Sequence, residues 1–68
     1  MEDNWTQVYT SAQHFQIELV KGLLKENDID SISINKQDSV YHFGAIELYV
    51  NVEDAFRAKQ IIEKHQGE

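Results

Sequence analysis

Three histidines, one pair of acids and one group of aromatics are the side chains that could do chemistry in this sequence of 68 residues. His14, His42 and His65 stand far apart along the chain. None has the i, i+3 or i, i+4 spacing that turns two imidazoles toward one metal ion. His14 and His65 fall within helical patterns, where a solvated or boundary position is the simplest place for them. His42 sits between Tyr41 and Phe43, just before Gly44, and alone is placed where a site could form. Asp28-Ile29-Asp30 opens like a calcium loop. It has no Gly six residues in, and Ser39 stands where the bidentate Glu belongs. No nucleophile lies beside a base, no Gly-rich segment cradles a phosphate, and no two carboxylates can be paired in a pocket. No metal and no cofactor is expected. A chain this short also has little room for a substrate cleft of roughly several hundred Å3, so an enzyme is not expected. Only a site built at the seam of a dimer would change that. There remain Trp5, Tyr9 and Tyr49, whose chemistry depends on the elements that hold them.

The central element is Ala45 to Val50. Ile46, Leu48 and Val50 alternate with Ala45, Glu47 and Tyr49, which places the three aliphatics on one face of a strand. Asn51 ends the alternation and is a good helix cap, with Asp54 three residues on able to reach back. A helical pattern follows through Ala55, Ala58, Ile61 and Ile62 and ends near His65. Earlier in the chain, Trp5 to Thr10 reads as a strand with two possible inward faces. One is Thr6, Val8 and Thr10; the other is Trp5, Gln7 and Tyr9. Ser11 is the expected cap of a helix from Ala12 to about Glu26. Its stripe is Ala12, Phe15, Leu19, Val20, Leu23 and Leu24, widened by Ile17, with His14, Glu18, Lys21 and Lys25 opposite. Gly22 is out of place there, since a mid-helix Gly costs about 1 kcal/mol against Ala. Asn27 is the expected left-handed helix stop. Ile29 to Asn35 reads as a strand with Ile32 and Ile34 inward and Ser31, Ser33 and Asn35 outward. Lys36 to Ser39 is a polar turn. Val40 to Gly44 is a short aromatic segment.

The order is β-α-β-β-α. The expected fold class is α+β: a ferredoxin-like plait, its three-stranded antiparallel sheet ordered 1-3-2 with both helices on one face. Residues 1–68 form a single domain, with frayed ends at about 1–4 and 66–68. The first strand is then an open edge, which a second copy of the chain could cover.

Composition narrows the function. Twelve acidic residues against 6 basic ones give a net charge of −6, which repels phosphate backbones and anionic lipid. Neither nucleic acid nor membrane is an expected partner. No apolar run approaches the roughly 18 residues of a membrane span, and no signal peptide is evident. The chain has no cysteine, which suits the reducing cytoplasm.

Three stretches carry a family resemblance. Trp5-x-x-Val8-Tyr9-Thr10, then Gly22-Leu23-Leu24-x-x-Asn27-x-Ile29, then Gly44-x-x-Glu47-Leu48-Tyr49-Val50-x-x-Glu53-Asp54-Ala55-x-x-Ala58 together resemble small bacterial domains described as putative prokaryotic signal-transducing proteins. The resemblance spans nearly the whole chain and rests on core positions, caps and turns. It implies a ferredoxin-like plait, likened to PII-type nitrogen-regulatory proteins, and a role in signalling. The family's first helix often ends in Gly where this chain has Asn27. The long loop in which PII-type proteins carry modification and nucleotide binding is missing between the second and third strands, as are their basic phosphate-binding residues. In the family pattern the aliphatic of the first strand faces the helices. Thr6, Val8 and Thr10 are therefore expected inward, with Trp5 and Tyr9 on the open face beside Tyr49.

Such an aromatic patch suits an interface, where Trp and Tyr are favoured anchors. Base stacking is disfavoured by the charge and by the lack of interleaved Lys or Arg. Glu47 faces the same way and could orient a ligand. The expected function is a non-enzymatic regulatory or protein-interaction module acting as a homodimer. The alternative is a small-molecule sensor with its ligand at the dimer seam, near Tyr41, His42 and Gly44.

Overall fold

A computed structural model describes residues 4–36 and 44–66. The elements are β1 (Trp5–Ser11), α1 (His14–Glu26), β2 (Ser31–Asn35), β3 (Ile46–Asn51), a 3-10 turn (Val52–Asp54) and α2 (Ala55–Gln66). The three strands form one antiparallel sheet in the order β1-β3-β2. The fold is the α+β plait that the sequence implies.

β3 holds the centre because its alternation is complete. Ile46, Leu48 and Val50 are all buried. Against them pack Ile17, Val20 and Leu24 of α1 and Ala58 and Ile62 of α2, with Ile29 completing the cluster. Both helices thus cover the same face of the sheet. Asn51 caps the 3-10 turn as its type suggests: its side-chain oxygen accepts from the Glu53 amide at 3.0 Å.

α1 begins at His14, two residues later than its pattern suggests. Ser11 still satisfies a free amide near the helix start, accepting from Gln13 N at 3.0 Å, but from the end of β1. At the other end the left-handed residue is Asp28 (φ 63°), not Asn27. The Asp28 amide donates to Lys25 O and the Ile29 amide to Leu24 O, the paired pattern of a Schellman stop. Its apolar contact is Leu24 with Ile29, both buried. Asn27 donates its side-chain amide to Leu23 O.

That stop sets the phase of β2 and corrects the reading of its faces. Ile29 is pinned into the core just before the strand, so every second residue after it shares its side. Ser31 stands opposite Val50 and Ser33 opposite Leu48, on the helix side. Ile32 stands opposite Tyr49 and Ile34 opposite Glu47, on the open side. The stripe of α1 is also narrower than its pattern. Phe15 is 64% exposed and Leu19 is 51% exposed. The sheet takes up only the Ile17, Val20 and Leu24 side, and α2 reaches only as far round as Leu23, which lines a groove with Ile61.

β1 departs most from a simple strand. Its pairing with β3 slips between Gln7 and Tyr9. Such a bulge sets two residues of one strand against one of the other and reverses the alternation beyond it. Before the slip Thr6 faces Val50. After it Tyr9 faces Leu48 and Ser11 faces Ile46. Val8 and Tyr9 therefore both pack against the core. The alternative between two inward faces is resolved by using each for half of the strand.

Candidate functional site: the open face of the sheet

The bulge removes Tyr9 from the expected aromatic patch. Its ring lies on the helix side, and its hydroxyl donates to Gln16 Oε1 of α1 at 3.0 Å. Thr10 is corrected in the opposite direction. It stands opposite Glu47 on the open side, where its hydroxyl donates to Ile46 O at 3.2 Å.

Trp5 and Tyr49 stay on the open face. Tyr49 stands at the centre of a row across the sheet, between Gln7 of β1 and Ile32 of β2. Thr10, Glu47 and Ile34 form the next row. Trp5 lies opposite Asn51 at the end of the strands. Directly opposed residues have Cβ atoms about 4.5–5.5 Å apart, so each row is a line of neighbouring side chains. No helix of the described residues covers this face, and Ile32 is 37% exposed.

Glu47 on this face is held from two sides. Glu47 and Tyr49 are two apart on β3 and so point the same way. The Tyr49 hydroxyl donates to Glu47 Oε1 at 2.7 Å. Lys36 Nζ, just past β2, lies 3.9 Å from the same oxygen. The Tyr49 phenol is raised above its ordinary value, first by its hydrogen bond to Glu47, then by partial desolvation and by the negative charge beside it. It remains a neutral donor through the physiological range. The face therefore offers apolar flanks, a phenol and an anchored carboxylate.

The other sequence-predicted positions are not brought together with these. Tyr41 and His42 lie outside the described residues. Gly44 is exposed and has φ 97°, a conformation natural to glycine, at the entry to β3. Ile32 and Ile34 are the members of the face that the sequence reading missed. Counting in twos from Ile29 would have found them. Among the described residues, no group of three or more His, Cys, Asp or Glu could hold a metal ion. No helix among them is long and apolar enough to cross a membrane.

By class the fold is a small α+β plait with one sheet face covered by helices and the other left open by the helices of the described residues. The chain belongs to the family described as putative prokaryotic signal transducing protein, whose sequence profile matches residues 5–66. No curated protein and no solved structure matched significantly.

Proposed function

We propose that the chain is a non-enzymatic signalling module of the cytoplasm that acts as a homodimer and docks a partner protein on its open sheet face. The observation that carries this reading is the open-face group of Ile32, Ile34 and Tyr49 beside Glu47, with Trp5 at the end of the strands. Trp and Tyr give large rigid contacts at low entropic cost and are enriched among residues that dominate binding energy. Glu47, already ordered by Tyr49 and Lys36, adds a fixed negative point. The partner it suits has an apolar centre and a cation placed to meet that carboxylate. The family's description as signal transducing is in keeping with a module that works by contact.

The test is site-specific crosslinking in the host cell. A photoreactive residue at position 32 should capture one discrete protein. The same residue at position 59, on the exposed outer side of α2, should not. Equal capture from both positions, or none from position 32, would remove the reading.

A further inference from the structure

We infer that two copies of the chain associate through the outer side of α1, back to back, so that each open sheet face stays free for a partner. This rests on the reading of the chain as a homodimeric interaction module and assigns the dimer surface. Phe15, Leu19 and Gly22 are spaced by four and three and so share one side of the helix. Phe15 and Leu19 are both more than half exposed. Gly22 is exposed beside them, and a side chain built there would meet nothing within 4 Å. Its backbone is not left-handed either, since among the described residues only Asp28 and Gly44 have positive φ. Neither packing within the fold nor conformation asks for glycine there, and glycine weakens a helix. What it provides is a flat spot next to two exposed apolar side chains, where another helix can come close.

The charges select a second copy as that helix. Glu18, Lys21 and Lys25 lie on the flank of α1 that faces the start of β2, lining a groove with Ile29 and Ser31. None of the three has an ion pair among the described residues. An antiparallel two-fold arrangement turns each flank of a helix toward the same flank of its copy. With the axis between Val20 and Lys21, Leu19 of each copy sits over Gly22 of the other. Glu18 of each then falls between Lys21 and Lys25 of the other. A parallel arrangement would instead turn that flank toward the opposite flank of the copy and bring Glu18 against neither lysine. The edge of β1 is less suited to pairing, because its bulge interrupts the row of free backbone groups. A helix of 13 residues is only about 20 Å long. The contact is therefore small and belongs with weak, concentration-dependent dimers.

Sedimentation velocity over a wide concentration series tests this on the full chain. The wild type should self-associate, and Leu19→Glu should weaken association about tenfold or more. Glu18→Lys should weaken it too, and adding Lys25→Glu to that variant should restore part of it. All of these positions are exposed, and circular dichroism should show each variant folded. A wild type that is monomeric throughout would overturn the inference. So would association unchanged in Leu19→Glu but lost in Tyr49→Ser. That second result would move the dimer to the sheet face and leave the interaction module standing. Failure of crosslinking from position 32 with the α1 pattern intact would instead remove the partner reading alone.

Discussion

The two faces of the sheet are built by different rules. On the helix side, Ile46, Leu48 and Val50 are buried and pack with aliphatic and small residues from α1 and α2. Among the described residues, that face contains no buried polar residue. On the open side, aromatic, aliphatic, amide, hydroxyl and carboxylate groups alternate across three strands. The first face is what folding requires of a chain with a small core. The second is not needed for closure of that core, so its Trp, Tyr and Ile are free to serve contacts outside the chain. Tyr9 and Tyr49 make the difference concrete. Each spends its hydroxyl on one side chain, Gln16 or Glu47. Tyr9 ties a helix to the sheet, whereas Tyr49 only orders its own face.

The largest effect should come from the covered side. Leu48→Ala should cost about 2–5 kcal/mol. A core of this size nets only about 3–5 kcal/mol, so urea titration should find much of that variant unfolded. A loss comparable to that of open-face variants would erase the distinction. Tyr9→Phe should cost about 0.5–1.5 kcal/mol through the lost bond to Gln16. An unchanged midpoint would put Tyr9 back on the open face. Ile32→Ser should cost less than about 1 kcal/mol, the scale of a cross-strand pair on an uncovered surface. Gly22→Ala should raise stability by up to about 1 kcal/mol while weakening self-association, since added helix preference and lost close approach act in opposite directions.

The smallest effect is a titration. The raised Tyr49 phenol donates to Glu47 only while protonated. Its contribution is complete below the ordinary tyrosine value and is lost as pH rises through its raised value. Ultraviolet absorbance should show this phenol ionising late in a chain whose other tyrosines are changed to Phe. Glu47→Gln should bring its ionisation back toward the ordinary range. No change on that substitution would break the Tyr49–Glu47 link.

Much of this was legible in the sequence where the period was unbroken. β3 alternates without interruption, and Asn51 has the side chain a cap needs, so strand, face and stop could be read directly. The errors came where one local event resets a phase. The Schellman stop at Asp28 and Ile29 fixes which residues of β2 face inward, and the outward Ile32 and half-buried Ile34 follow from it. The bulge after Gln7 adds one residue to β1 and turns Tyr9 from the open face to the helices. No composition rule marks such a slip in a strand where both parities carry apolar residues. Phe15 and Leu19 satisfy the helical rhythm equally well whether a neighbour covers them or not. Their exposure depends on where α2 lies, a tertiary fact that periodicity along α1 does not contain.

The most direct test of the central claim is native mass spectrometry of the gently purified protein from its own host, run beside a Trp5→Ser/Tyr49→Ser variant. The wild type should carry a discrete partner protein. The variant should be folded and should have lost that partner. A folded variant that keeps the same partner would contradict the assignment of the open sheet face as the docking surface.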